Sequence, residues 1–145
     1  MKFTRALVSL CVIAAVGQVG SAEETPRLSD LFRMVDPAVV EIATVQQVVA
    51  DQGPARRVAS GSVGSGFLIS ADGRIMTAAH VVQVADTITV KFVTGDEAPA
   101  KVLASDPSAD VALIQAETVP SGIKPARLGN SDDAVVGDQV FVIGA

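Results

Sequence analysis

The segment TAAHVV, residues 77–82, contains the only histidine of the chain. A lone histidine among small and apolar residues is more often structural than catalytic. The position of His80 favours a functional role, because it directly follows a predicted strand, RIMT (74–77), and functional groups concentrate in the loops at strand ends. A metal site is not predicted, since zinc needs several ligands and there is no second histidine.

A carboxylate occupies a comparable position further along, in DPSADVALIQ (106–115). Asp106 precedes a proline and is predicted to form a turn. Asp110 opens the apolar run VALI, where a buried carboxylate would need a partner. A histidine and a buried aspartate on a β scaffold suit hydrolysis by a hydroxyl nucleophile. The imidazole takes the proton of the hydroxyl, while the carboxylate holds the correct tautomer and stabilises the imidazolium.

The segments that would position these residues have the character of short β-strands. Asp72-Gly73 between two apolar runs predicts a hairpin, and TITVKFV alternates, with Ile88, Val90 and Phe92 on one face. Strands separated by turns and little helical periodicity predict an all-β antiparallel barrel or sandwich. The predicted strands are AVVEIATV (38–45), FLIS (67–70), RIMT (74–77), TITVKFV (87–93), AKVLASD (100–106), DVALIQA (110–116) and QVFVIGA (139–145).

Two connecting regions are predicted to be irregular or helical. Ser29 is a candidate N-cap for a short helix that reaches Met34 and that Pro37 would terminate. The stretch 46–66 is polar and contains glycine, serine and proline, so it is predicted to be a long exposed loop with Ser62 and Ser65 as turn residues. Arg56 and Arg57 are expected to be solvated in this loop.

The first 22 residues have the layout of a secretory signal peptide. Lys2 and Arg5 precede an apolar run (6–16), and the small-residue stretch GQVGSA ends at residue 22. The run is too short to span a bilayer, so no membrane span is expected after cleavage. A lipoprotein signal at Cys11 is disfavoured because Leu10 precedes the cysteine. Cleavage would remove this only cysteine, which excludes disulfides, a thiolate nucleophile and cysteine-based zinc sites.

Charge and composition exclude further classes. The formal net charge is −5 at pH 7, and the chain has neither tryptophan nor tyrosine. An acidic chain without a basic cluster is a poor nucleic-acid binder. The scarcity of aromatic residues also disfavours a small-ligand carrier, and neither a cofactor nor a metal is predicted.

The segment GSGFLISADGRIMTAAHVV (64–82) resembles the active-site histidine segment of the HtrA/Deg group of trypsin-like serine proteases. DPSADVALIQ (106–115) is similar to the aspartate segment of the same group. SDLFRMVDPAVVEI (29–42) resembles its lead-in to the first strand, and LGNSDDAVVGDQVFVIGA (128–145) resembles its linker and the start of the second barrel. The resemblance implies that His80 is the general base and that Asp110 orients it.

The same resemblance implies a double β-barrel with the active site between the barrels. Residues 1–22 would be the signal peptide, 23–37 a lead-in with a short helix, 38–130 the first barrel, and 131–145 the linker and first strand of the second barrel. The implied activity is endopeptidase cleavage of unfolded or damaged proteins in the periplasm or cell envelope. Members of this group often form trimers and often carry peptide-binding PDZ domains.

The nucleophilic serine is not identified. Gly129-Asn130-Ser131 matches the start of the glycine-rich serine turn of the group, but Asp132 and Asp133 follow where glycines are needed. Two carboxylates there would repel a developing oxyanion, so this segment is predicted to be the linker. We therefore expect the chain to be the front part of a longer protease, inactive alone. The alternative is a non-catalytic, exported β-barrel that binds partners.

Overall fold

The computed structural model describes residues 27–50 and 56–145, so the predicted signal peptide lies outside the described residues. A short helix and a 3₁₀ turn come before six strands, with one helical turn between the third and fourth strands. The elements are α1 (Leu28–Val35), the 3₁₀ turn Asp36–Ala38, β1 (Val39–Ala50), β2 (Arg56–Leu68), β3 (Arg74–Thr77), α2 (Ala79–Val82), β4 (Thr87–Lys91), β5 (Glu97–Asp106), β6 (Val111–Ala116) and the 3₁₀ turn Ser131–Asp133.

The six strands close into one antiparallel barrel in the order β1-β2-β3-β6-β5-β4. The all-β prediction is confirmed. Closure pairs every strand on both sides over part of its length, which removes the open sheet edges that promote aggregation.

The barrel interior is filled by apolar side chains, which come from alternate positions of the strands and from α2. As predicted for the fourth strand, Ile88, Val90 and Phe92 share the buried face. Each fully buried aliphatic side chain contributes about 1.5–3 kcal/mol. The core comprises Val40, Ile42, Leu68, Ile75, Ala79, Val82, Ile88, Val90, Phe92, Ala98, Ala112, Ile114 and Ala116.

The predicted Asp72-Gly73 hairpin is present between β2 and β3. Gly73 has a φ of +95°, a backbone conformation that residues other than glycine rarely adopt. The backbone N–H of Ile69 donates to the carbonyl of Arg74 at 2.8 Å and closes the turn. The hairpin sets the direction of β3, whose end leads to the histidine segment.

The prediction of a loop is wrong for residues 46–50 and 56–66, which belong to strands, while 51–55 lie outside the described residues. β1 and β2 pair continuously from Val39↔Phe67 to Ala50↔Arg56. Ser62 and Ser65 are therefore strand residues rather than turn residues. The glycines of this strand permit close packing: a Cβ at Gly66 would lie 2.7 Å from Ile42 Cδ1 and 2.9 Å from Ile75 Cγ2. Tertiary contacts override the low strand propensity of glycine.

The β1–β2 pair extends past the closed part of the barrel. β1 pairs with β4 only as far as Val45↔Thr87. At that point the backbone N–H of Asp86 donates to Val45 O at 2.9 Å, and the N–H of Gln47 donates to the Asp86 carboxylate at 2.6 Å. Beyond this double contact, β1 and β2 continue as a two-stranded ribbon.

Two predictions at the ends of the described chain need correction. The N-cap of α1 is Arg27 rather than Ser29, and the Arg27 side chain pairs with Asp30 at 3.0 Å. The segment 139–145, predicted as a strand, forms none. A strand requires a ladder partner, and within the described residues this segment pairs with no strand; Ala145 instead donates its N–H to Ser65 Oγ at 2.9 Å.

Within residues 27–50 and 56–145, no helix has the length and apolar character needed to cross a membrane.

The close packing around Gly66 generates a stability prediction. Gly66→Ala should lower the free energy of unfolding by about 1–3 kcal/mol, because the new methyl group overpacks the core beside Ile42 and Ile75. Gly61→Ala is the matched control in the same strand, where the nearest atom to the new Cβ is Thr44 O at 3.8 Å. Denaturant unfolding of both variants checks the prediction, and equal stabilities would contradict it.

Candidate active site

The register of β3 and β6 places His80 and Asp110 at the same end of the barrel. The two strands are antiparallel neighbours, with Thr77 opposite Ala112. His80 is the third residue after β3, and Asp110 comes immediately before β6. Strand pairing therefore brings together two side chains that are distant in sequence.

A single helical turn presents the histidine. α2 buries Ala79 and Val82 in the barrel core, while the side chain of His80 is 71% exposed on the outer face. The buried residues anchor the turn, so the position of the imidazole follows from the position of α2.

A hydrogen-bonded turn presents the carboxylate. Oδ1 of Asp106 accepts the backbone N–H groups of Ser108 at 2.9 Å and Ala109 at 3.3 Å, which confirms the predicted turn role of Asp106. Asp110 then adopts a φ of +52°, the only non-glycine residue with positive φ in the described part of the chain. This left-handed conformation is uncommon, although aspartate tolerates it better than most residues. Residues held in such conformations cluster at functional sites.

The two side chains meet through three short contacts. His80 Nδ1 lies 2.8 Å from Asp110 Oδ2 and 3.0 Å from Oδ1. The backbone N–H of His80 also donates to Oδ1 at 3.0 Å. An ionised carboxylate only accepts hydrogen bonds, so this geometry assigns the ring proton to Nδ1 and leaves the Nε2 lone pair of the neutral ring available as a proton acceptor.

The same contacts keep Asp110 ionised. Its pKa is held below the ordinary value of an aspartate, chiefly by the backbone N–H of His80 and next by the hydrogen bond from the His80 ring. Partial desolvation opposes both effects but does not outweigh them. A carboxylate that remains negative at neutral pH stabilises positive charge on the imidazole.

The expectation of a buried aspartate was wrong, since the side chain of Asp110 is 52% exposed. The carboxylate has a partner through hydrogen bonding, not through burial. The left-handed backbone of Asp110 also escaped sequence reasoning, because the apolar run after it indicated a strand residue. The tolerance of aspartate for positive φ was the available signal.

A further support for this end of the barrel also went unnoticed in the sequence. Thr77, the first residue of TAAHVV, is buried, and its hydroxyl donates to the carbonyl of Ser65 at 2.8 Å. This bond joins the end of β3 to β2 directly before the histidine segment. A threonine at the end of an apolar strand is a weak signal for such a bond, since a buried hydroxyl needs a partner.

The serine of Gly129-Asn130-Ser131 lies in a capped turn. Oδ1 of Asn130 accepts the N–H of Asp132 at 3.2 Å, and Nδ2 donates to Asp133 Oδ1 at 3.2 Å. Within the described residues, the side-chain hydrogen bonds of His80 go to Asp110 and none reaches Ser131. In the same part of the chain, no group of three or more His, Cys, Asp or Glu residues could hold a metal ion.

An apolar hollow of about 500 Å³ lies beside the pair. Thr77 and Ala78 of the histidine segment and Val111, which follows Asp110, contribute to its wall. The remaining lining includes Val39, Phe67, Met76, Phe141 and Ile143.

Comparison with known proteins identifies the family of the chain. Residues 64–145, which include both His80 and Asp110, match the family described as trypsin-like peptidase domain. The chain belongs to this family. Its six-stranded closed barrel is the barrel expected for a trypsin-like peptidase.

Relatives of this trypsin-like chain are described as periplasmic serine endoproteases. A probable periplasmic DegP-like serine endoprotease of Ectopseudomonas mendocina (strain ymp) is 42% identical over 102 residues, which cover 70% of this chain and 21% of the relative. A protein of the same description from Pseudomonas putida is 32% identical, with 100% of this chain and 38% of the relative covered. The resemblance to HtrA/Deg serine endoproteases and the predicted periplasmic location are confirmed.

Similar solved structures are also HtrA-type proteases. A variant of the HtrA-type protease AlgW, solved with a decapeptide, superimposes with a TM-score of 0.67 at 26% identity. The match covers 76% of this chain and 38% of that one. The chain thus spans less than two fifths of the length of these relatives.

The lowered pKa of Asp110 predicts how the pair responds to acid. Its contribution to stability is fully present above the unfolded pKa of about 3.9 and is lost as the pH falls through the lower folded value. In His80→Ala the pKa of Asp110 should rise yet stay below the ordinary value of an aspartate, because the backbone N–H of residue 80, the largest cause, remains. Carboxyl ¹³C titration by NMR measures this.

Asp72 is the internal control for that titration. Its pKa is also lowered, but chiefly by the side chain of Ser70, in the turn before β3. Its midpoint should be the same in the wild type and in His80→Ala. An Asp110 midpoint that does not respond to the variant would contradict the contact.

Proposed function

We propose that His80 and Asp110 are the general base and the orienting carboxylate of a Ser-His-Asp triad in an exported serine endopeptidase of the HtrA/Deg type. The observation that carries this proposal is the contact of His80 Nδ1 with both oxygens of Asp110, at 2.8 and 3.0 Å. This contact favours the tautomer with the ring proton on Nδ1. Nε2 is then free to accept a proton from a serine hydroxyl, as the triad mechanism requires.

The pair would act in two proton transfers. As the serine Oγ attacks the carbonyl carbon of a peptide bond, its proton passes to His80 Nε2. The resulting imidazolium is stabilised by Asp110, which remains ionised because its pKa is low. His80 then returns the proton to the leaving amine, and the acyl-enzyme that remains is hydrolysed by water through the same cycle.

We propose further that the serine and the oxyanion hole belong to a second barrel outside residues 1–145, with 38–130 as the first barrel and 131–145 as the linker to the second. Two observations support this arrangement. The candidate Ser131 is followed by two carboxylates and lies in a capped turn. The apolar hollow beside the pair also leaves Val111 and Phe141 partly exposed, as expected where a second domain packs. The chain alone is then inactive.

The proposed substrates are unfolded or damaged proteins of the periplasm. The DegP-like relatives are named periplasmic endoproteases, and the related AlgW structure was solved with a peptide. A site that cuts extended polypeptide between two domains suits unfolded chains, whose peptide bonds are accessible. No nucleic acid or cofactor takes part in this proposal, and assembly into trimers belongs to it only through the family.

A serine-directed probe tests the triad. The intact product of the native gene should react with a fluorophosphonate at one serine, and His80→Ala should abolish the reaction because the hydroxyl loses its base. Removal of the histidine from such a triad costs about 10⁶-fold in kcat. The chain of residues 1–145 is the control and should remain unlabelled. Labelling that persists in His80→Ala would contradict the proposal. An intact protein that is not labelled at all would favour the alternative of a non-catalytic binding module.

The orienting role of Asp110 has its own test. In Asp110→Asn, the amide oxygen still accepts the backbone N–H of His80, but the amide NH₂ faces Nδ1 and favours the wrong tautomer. The kcat of the intact protein should fall about 10⁴-fold, as expected for loss of the orienting carboxylate. Asp106→Asn is the matched control, since its amide oxygen still accepts the N–H groups of the turn. Equal kcat values for the two variants would contradict the assignment.

A further inference from the structure

The residue after the candidate base rests against a glycine of β2. A Cβ built at Gly64 would lie 2.7 Å from each γ-methyl of Val81 and 3.3 Å from its Cβ. Real Cβ atoms essentially never come within 3.0 Å of such neighbours. Val81 therefore occupies a notch in the strand that exists only because residue 64 has no side chain.

Rotation of Val81 does not create room for a side chain at position 64. Both methyls face Gly64, so a turn of χ1 by 120° in either direction still leaves one methyl on that side. Valine in a helix also has one strongly preferred χ1 rotamer. Any side chain at position 64 must therefore move the backbone of α2 or of β2.

Movement of α2 is the easier of the two. β2 is fixed at Gly64 by its pairing with Ile42 of β1, inside the barrel. α2 is one helical turn of four residues without a side-chain cap. Its buried residues, Ala79 and Val82, hold it against the core, and Val81 provides the contact to β2.

His80 lies between these anchors on the same turn, and its side chain is exposed with hydrogen bonds to Asp110 as its polar contacts. We propose that Gly64 is a positioning residue for His80, acting through Val81. The proposal rests on the proposed function only in treating His80 as the general base, since the notch itself is a steric feature.

The displacement of Val81 is large enough to disturb the contact between His80 and Asp110. The γ-methyls of Val81 must retreat by about 0.3 Å to reach 3.0 Å from a Cβ at Gly64, and by about 0.7 Å to reach ordinary contact at 3.4 Å. The contact between His80 Nδ1 and Asp110 Oδ2 measures 2.8 Å, and N–H···O bonds weaken quickly beyond about 3.2 Å. In catalysis, a misplacement of about 1 Å costs on the order of 10²-fold in rate.

Ring ¹⁵N NMR of His80 tests the proposal without any need for activity. His80 is the only histidine of the 145-residue chain, so its ring signals need no assignment. At a pH at which the imidazole is neutral, the wild type should show Nδ1 as the protonated nitrogen. Gly64→Ala should shift both ring nitrogens toward the average of the two tautomers, because α2 has moved away from Asp110.

A double variant isolates the steric cause. Val81→Ala removes both γ-methyls and leaves only a Cβ, 3.3 Å from the one added at Gly64. Gly64→Ala combined with Val81→Ala should therefore restore the wild-type ring signals. Gly61→Ala, in the same strand but with its nearest contact at 3.8 Å, should leave them unchanged.

The outcomes separate clearly. Wild-type ring signals in Gly64→Ala, or no recovery in the double variant, would overturn the proposal. If Gly64→Ala fails to fold, recovery of both folding and the Nδ1 signature in the double variant supports it, and an unfolded double variant overturns it.

Kinetics of the intact protein add a readout that general destabilisation does not mimic. Gly64→Ala should lower kcat about 10- to 100-fold with KM unchanged, and the double variant should recover most of the loss. If the triad proposal fails, no variant has activity to compare, while the NMR result still decides the role of Gly64.

Discussion

The antiparallel register of β3 and β6 is the constraint on which the candidate site depends. With Thr77 opposite Ala112, the chain leaves β3 toward His80 at the same end where it enters β6 from Asp110. Both side chains are largely exposed, so packing around them does little to hold them together. A shift of the register by one residue would reverse the faces of β6 and separate the pair.

Exposure changes how the pair must be held. A surface ion pair in water contributes at most about 1 kcal/mol, because solvent screens it and both side chains lose freedom. Asp110 does not depend on the ion pair alone, because its carboxylate accepts hydrogen bonds from both the backbone N–H and the ring of His80. Asp110 makes these contacts from a left-handed backbone conformation, with a φ of +52°. The backbone, already ordered by the barrel, supplies most of the organisation.

The sequence was informative where local pattern and tertiary structure agree. Alternation identified the buried face of β4, and Asp72-Gly73 identified the hairpin. The residue types and order of the two motifs indicated His80 and Asp110. Prediction failed where tertiary contacts override local preference: the glycines of β2 suggest a loop, yet 64 and 66 are glycine because other side chains pack where their Cβ atoms would be. The exposure of Asp110 depends on its surroundings in the fold, which its local sequence does not encode.

The ribbon of β1 and β2 beyond the Asp86 contacts has an evolutionary consequence. Asp86 fixes β1 at Val45 and Gln47, so residues further out affect neither barrel closure nor the register of β3 and β6. The paired backbone of β1 and β2 outward of the Asp86 contacts can therefore differ in length between related chains without altering the geometry of the candidate site.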